Sequence, residues 1–301
     1  MEYVDFTYSL LSDGINFLEN EPLSKHSSFR IGGPAKIIVL PRNKTQLIDV
    51  LDKIKKANTK YSIIGNGSNI LFDDDGYDGV IVSTKNMRQI TINDNLLYAD
   101  CGASFTSMAL AAYRESLSGL EFAYGIPGSC GGAVFMNAGA YGSETSAVLD
   151  EVACYDVCSG KIINLQIDQI NMSYRYSTFM EHPELIILSA LFKLKRNNKE
   201  AIHAIMEYNK SQRQQKQPLE YPNAGSIFKR HKDYFIGKII EDCGLKGYSI
   251  GGAQVSEKHA GFIINVGGAT SSDVLDLISH IKDVVLNSCN FELECEIRYI
   301  K

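Results

Sequence analysis

At 301 residues and 45% hydrophobic, the chain can bury a real core, and its length predicts two or three lobes. A net charge of −5 and a pI near 5.7 exclude non-specific nucleic-acid binding, which needs an electrostatic surplus. No apolar run approaches the roughly 20 residues that span a bilayer. The opening MEYVDFTYSLLSDG lacks the basic start and apolar centre of a signal peptide, so a cytoplasmic location is expected. Seven cysteines without zinc-finger spacing read as reduced, mostly buried thiols, and no metal site is expected.

Ala35–Pro41 reads as a strand. Asn43 then caps a helix, with Gln46 in a capping-box position and Leu47, Val50, Leu51 and Ile54 on one face. Tyr61–Ile64 is a second strand and Gly79–Val82 a third, closing a first lobe over residues 1–84. A second lobe, 85–196, begins with strand Leu96–Cys101 and a helix near Ser104–Arg114. Glu151–Val157 and Lys161–Leu165 form a hairpin around Ser159-Gly160, and Leu185–Leu194 is a further strand. The third lobe, 197–301, opens with a helix over Lys199–Gln217. Asn197 and Glu200 supply its capping box, Ile202, Ile205 and Met206 its buried stripe, and Pro218 its stop. A helix over Phe235–Cys243 is closed by Gly244. Asp273–Asn287 is helical, with Val274, Leu277, Ile278, Ile281 and Val285 on one face. Phe291–Ile300 alternates as a strand that presents Glu292, Glu294, Glu296 and Arg298 along one side.

Two glycine-rich segments interrupt this pattern. Gly125–Gly142 holds six of the 25 glycines in 18 residues and no charged side chain. Such a run permits close approach of another group to the backbone, so it reads as a ligand cradle. Gly65-Asn66-Gly67-Ser68-Asn69 follows a strand but lacks the third glycine of a dinucleotide fingerprint, with Ile70 in that place. Backbone N–H groups there suit a pyrophosphate, and an ordinary loop suits the residues equally. Two such loops on successive lobes fit a dinucleotide with a bulky ring, such as FAD, lying between them. Tyr174-Arg175-Tyr176-Ser177 places an arginine between aromatic rings, on which a guanidinium stacks. Asn223-Ala224-Gly225-Ser226 places a serine on close-approach backbone. Between Lys210 and Lys246 stand eight Lys/Arg, Lys232 among them, against four acids, a basic stretch suited to a small anionic substrate.

Together these segments resemble the UDP-N-acetylenolpyruvoylglucosamine reductase family over nearly the whole chain, from Pro22 to Ile300. The order is Phe29-Arg30-Ile31-Gly32-Gly33-Pro34-Ala35, GNGSN at 65–69, GIPGSCGGAVFMNAGAYG at 125–142 and YRYS at 174–177. QPLEYPNAGSIFK at 217–229, GLKGYSIGGAQVSEKHAGFIIN at 244–265 and Glu294-Cys295-Glu296-Ile297-Arg298 follow. The glycine loops are shared with other flavin oxidoreductases; NAGSIFK and GGAQVSEKHAGFIIN are far more specific. The resemblance implies an α+β fold, with a two-lobed FAD-binding domain of the vanillyl-alcohol-oxidase type and a C-terminal α+β substrate-binding domain. It implies non-covalent FAD, NADPH as reductant, and reduction of UDP-N-acetylglucosamine enolpyruvate to UDP-N-acetylmuramate for peptidoglycan.

Carried over by motif, Ser226 is the proton donor and Arg175 and Glu296 are its catalytic partners. The cofactor-binding residues are then Arg30, Gly65, Asn66, Gly67, Ser68, Asn69, Gly125, Pro127, Gly128, Gly131, Gly132, Asn137, Ala138 and Gly139. Tyr174, Arg213, Gln217, Lys229 and Lys238 are expected to bind substrate, the two lysines also assisting Ser226. Ser129-Cys130 replaces the family's more usual Thr-Val or Thr-Ile, Cys295 a frequent proline, and Ser27-Ser28 frequent threonines. The length matches the compact branch, which lacks an extra substrate-closing loop. Another oxidoreductase of this flavin fold, or a nucleotide-sugar-binding protein without catalysis, are the competing readings.

Overall fold

The structure is a computed structural model that describes residues 3–231 and 233–301. The chain forms two compact units. Unit 1 takes the N-terminal segment to Glu19, Ile37–Asn66 and Gly79–Gln212; unit 2 takes Asn20–Lys36, Gly67–Asp78 and Arg213–Lys301. The passage into unit 2 falls inside the helix Lys199–Lys216, whose Ile202 and Met206 are buried in a core of unit 1.

Unit 1 has two apolar cores. In the first, helices α1 (Tyr3–Ser12) and α2 (Lys44–Ala57) supply Phe6, Leu10, Leu47, Val50, Leu51 and Ile54, packed with Ile37, Val39, Val80 and Val82. The four-residue stripe of α2 is buried as its period requires, each such side chain contributing about 1.5–3 kcal/mol relative to exposure. The strands run in the order Asn16–Pro22, Pro34–Leu40, Tyr77–Ser83, Tyr61–Ile64, the last two parallel. Asn43 Oδ1 accepts from the Gln46 N–H at 2.9 Å, while Gln46 reaches back to Arg42, one residue before the expected box partner.

The second core lies against a five-stranded antiparallel sheet. Its order is Lys161–Gln166, Leu149–Asp156, Leu185–Lys193, Leu96–Asp100, Ile90–Asn93. Helices α3 (Phe105–Arg114), α4 (Cys130–Phe135) and the first half of α5 (Lys199–Lys216) complete it. Two expectations for α5 change. Asn198, not Asn197, caps the helix, accepting from the Ala201 N–H at 2.9 Å. Ile205 is 46% exposed, because the inward face runs through Ile202, Met206 and Asn209 at i, i+4 and i+7.

In unit 2 the strands Asn223–Ser226, Phe262–Asn265, Ala253–Val255 and Ser249–Ile250 make an antiparallel sheet in that order. Helices α6 (Ile236–Asp242) and α7 (Ser271–Cys289) pack in its core. α7 begins two residues before the expected start, because Thr270 and Asp273 form a full capping box, and all five residues of its expected stripe are buried. The last segment departs most from expectation. Only Arg298–Ile300 is a regular strand, parallel to Ile70–Phe72, with a single bridge at Cys295 to Phe228. The chain changes partner midway: Lys229 N–H donates to Glu294 O and Glu296 N–H to Ile227 O, then Arg298 N–H donates to Asn69 O. A ten-residue strand cannot keep one ladder through that switch.

The seven thiols are free, but only Cys101, Cys130 and Cys154 are buried, which corrects the expectation of mostly buried cysteines. Cys158 and Cys289 sit at a hairpin turn and a helix end, where little packs over a side chain.

Candidate functional site

In unit 1 the two glycine segments meet. A Cβ on Gly65 would lie 2.0 Å from Ser129 Oγ, so only glycine lets the strand end pass so close. The Asn66 amide donates to the carbonyls of Pro127 and Gly128, both at 3.0 Å. Ser129 caps α4, accepting from Gly132 N–H at 3.3 Å, and Gly131 N–H donates to Cys101 O at 2.7 Å. Two glycines oppose helix formation, yet this six-residue helix forms because Ser129 caps it and Cys130, Ala133 and Val134 are buried. The two glycine segments are thus joined backbone to backbone around the Ser129 cap. Burial pushes the Cys101 thiol up to about 12 and raises that of Cys130 well above its ordinary value, so neither is a nucleophile beneath the cradle.

Beyond α4 the cradle is tied to the arginine turn. Asn137 is fully buried with φ +42°. Its carboxamide accepts from Ser146 N–H at 2.9 Å and donates to Ser173 O at 3.0 Å. Ser177 Oγ donates to Phe135 O at 2.6 Å. These bonds hold both strands of the hairpin Met172–Ser173 and Tyr176–Ser177, whose two-residue turn is Tyr174-Arg175. Arg175 has φ +55°, a region that disfavours a side chain bearing Cβ by about 1–2 kcal/mol. Its Nη2 donates to Gly139 O at 3.2 Å, and its guanidinium stands 5.0 Å from the Tyr174 ring centroid. A strained backbone, a carbonyl and a ring thus fix one guanidinium beside Ala138 and Gly139.

In unit 2 the other motifs converge. Ser226 pairs with Phe262, and its Oγ donates to Phe228 O at 3.0 Å. Gly225 takes φ +84°, and Asn223 Oδ1 accepts its N–H at 3.0 Å, an Asx turn that aims the serine. Glu296 lies on the adjacent backbone, since its N–H donates to Ile227 O at 2.8 Å and Asn69 donates to its carbonyl at 3.1 Å. Gly67, at φ +64°, approaches His26 O so closely that a Cβ would lie 2.0 Å away. Ser28 Oγ donates to Asn223 O at 2.7 Å, joining the motif around exposed Arg30 to the NAGS turn. Ser226, Glu296, Asn69 and the Arg30 segment therefore belong to one hydrogen-bonded framework.

Lys229 ion-pairs with Glu294, and Lys238 pairs with Asp242 at 2.6 Å, which raises its pKa. Lys246 pairs with Glu241 at 3.4 Å, so acids offset much of the basic stretch; Lys232 lies outside the described residues. Arg213 and Gln217 are half-buried at the end of α5, where Gln217 N–H donates to Arg213 O at 2.9 Å.

Sequence reasoning passed over His259. Its Nδ1 accepts from Gly261 N–H at 3.1 Å, and a Cβ on Gly261 would lie 2.9 Å from its Cε1 and 3.7 Å from Ser226 Oγ. Burial, with the cations Arg230 and Lys246 adding to it, holds the imidazole below its ordinary pKa. The unfolded chain therefore takes up a proton that the fold resists, and stability falls as pH drops through and below about 6.5. The urea midpoint should decline from pH 7 to pH 5, and His259→Gln should flatten part of that decline. An identical pH profile in the variant would contradict this account.

Residues 35–166 match the family described as FAD binding domain, and residues 217–300 the UDP-N-acetylenolpyruvoylglucosamine reductase, C-terminal domain. The chain is 45% identical over 297 residues to the UDP-N-acetylenolpyruvoylglucosamine reductase of Caldanaerobacter subterraneus subsp. tengcongensis, covering 99% of this chain and 97% of that protein. The protein of that name from Clostridium perfringens is 43% identical over 302 residues, covering 99% and 98%. The crystal structure of the Thermus caldophilus UDP-N-acetylenolpyruvylglucosamine reductase superposes with a TM-score of 0.79 at 28% identity, covering 95% of this chain and 99% of that one.

Proposed function

Because the chain belongs to the UDP-N-acetylenolpyruvoylglucosamine reductase family, FAD-dependent oxidoreductases of peptidoglycan precursor synthesis, we propose that it reduces UDP-N-acetylglucosamine enolpyruvate to UDP-N-acetylmuramate with NADPH. The observation that carries the reading is the ladder joining 227–229 to 294–296, which sets Ser226 and Glu296 on neighbouring backbones inside the matched C-terminal domain.

The residues fit FAD: at the Ser129-capped start of α4, Gly128 and Gly131 are half-buried and Gly132 is exposed, so backbone there is open to a ligand with no side chain in between. Gly65 to Asn69, Gly125, Pro127, Gly128, Gly131 and Gly132 would hold it, with Arg30 and the Asn137–Gly139 turn. When bound, FAD supplies the hydride chemistry, from NADPH to the vinyl carbon of the substrate.

The chain supplies the rest. Hydride addition leaves enolate-like charge on the substrate carboxylate, and a guanidinium fixed before the reaction stabilises that charge as it develops. Arg175 has this role, held by Gly139 O and the Tyr174 ring. Ser226 donates the proton to the carbon next to the carboxylate. Serine is a weak acid, so it acts only on a strongly basic carbanion, with Glu296 and the Lys229 and Lys238 ammonium groups around the transfer. Tyr174, Arg213 and Gln217 bind the nucleotide-sugar. A cytoplasmic location fits NADPH and a soluble nucleotide-sugar.

Anaerobic mixing tests the reading. NADPH should bleach the yellow protein, and UDP-N-acetylglucosamine enolpyruvate should restore the colour with formation of UDP-N-acetylmuramate. Colourless protein, or bleaching that only oxygen reverses, would overturn it.

A further inference from the structure

Two cysteines outside this chemistry stand against each other. Cys243 closes α6 and Cys289 ends α7, 46 positions apart, with their sulfur atoms 3.8 Å from one another. That is van der Waals contact between sulfurs; a disulfide needs about 2.05 Å, a further approach of about 1.8 Å. Both side chains can supply it, because Cys289 is exposed and Cys243 half-buried, each at the last turn of a helix. Asn290, in the left-handed conformation, turns the chain away just after Cys289 and leaves its sulfur open to a small reagent. Cys101, Cys130 and Cys154 are instead buried, and burial keeps their thiols protonated.

We propose that Cys243 and Cys289 are a modification site that closes to a reversible intrachain disulfide by exchange with a low-molecular-weight disulfide. One exposed thiol, Cys289, loses its proton and attacks a sulfur of the small disulfide. A mixed disulfide forms and the first small thiolate leaves. Cys243 then loses its proton and attacks the Cys289 sulfur, releasing the second small thiolate. The two protein thiols are oxidised by two electrons, and one small disulfide becomes two small thiols. Desolvation, with the neighbouring Cys289 adding to it, raises the Cys243 thiol, so exposed Cys289 attacks first and Cys243 follows in the intramolecular step, where the partner sulfur is already at hand. The bond would tie the C-terminal ends of both helices. The segment after α7 carries Glu294 and Glu296 to the Ile227–Lys229 backbone, so the staple sits at the base of that framework.

The test uses the FAD-loaded protein and oxidised glutathione, followed by alkylation and non-reducing peptide mass spectrometry. The expected product is one linked peptide pair, Cys243 with Cys289, lighter by two hydrogens and reopened by dithiothreitol. In the Cys243→Ser protein the exchange should stop at its first step, with the glutathione adduct on Cys289 at least about tenfold more abundant than in the parent. Stable separate adducts on both thiols of the parent, or a bond between two chains in place of the internal one, would overturn the proposal.

Discussion

A Ser226→Ala protein should bleach with NADPH at the parent rate and then recover its colour with the enolpyruvyl substrate about 10²–10⁴-fold more slowly, the range for loss of a general acid. The two halves separate because the serine is needed only where a carbon must be protonated. The fold should survive. The hydroxyl gives one half-buried bond to Phe228 O at 3.0 Å, worth about 1 kcal/mol. Gly225 at φ +84° and the Asn223 turn, which aim the residue, are untouched. Stopped-flow traces under anaerobic conditions measure both halves in one experiment. Recovery at the parent rate would remove Ser226 from the proton path, and Glu296→Gln, equal in shape, would then be the next variant to examine by the same two traces.

What the sequence showed of this architecture depended on distance along the chain. The stripes of α2 and α7 were legible because a 3.6-residue period is a local property, and each was buried as read. Ile205 was misjudged because i+3 and i+4 neighbours share a face only in part, and Asn209, a polar residue, took the inward place. α4 was hidden by its glycines, whose low propensity is overcome by burial against the sheet of unit 1. The final segment alternated correctly as far as buried Leu293, but its exchange of partners between Ile227 and Asn69 leaves no trace in composition. The motifs of the site were equally legible, and their connections were not. Asn137 reaches Ser173 across 36 positions and Ser28 reaches Asn223 across 195, and these bonds turn separate motifs into frameworks. The Asn137 amide is engaged within the protein, where it fixes the arginine turn.

That turn gives the second large effect. Arg175→Gly should be about as stable as the parent, yet recover its colour with substrate about 10²–10³-fold more slowly, the cost of removing one preorganised charge stabiliser. Three terms decide its stability. Glycine adopts φ +55° without penalty, relieving about 1–2 kcal/mol, while its extra freedom in the unfolded chain costs up to about 1 kcal/mol. The bond to Gly139 O is lost, a further cost of about 1 kcal/mol for a partly exposed pair. The sum lies near zero, so thermal unfolding should move little while turnover collapses. Arg175→Lys separates charge from shape: it keeps the strain and the positive charge but not the planar fork that reaches a carbonyl and lies on a ring at once. It should recover only a small part of the rate. A strained position that stabilised nothing would tolerate glycine with full activity, and that result would make the turn at Arg175 a feature of folding alone.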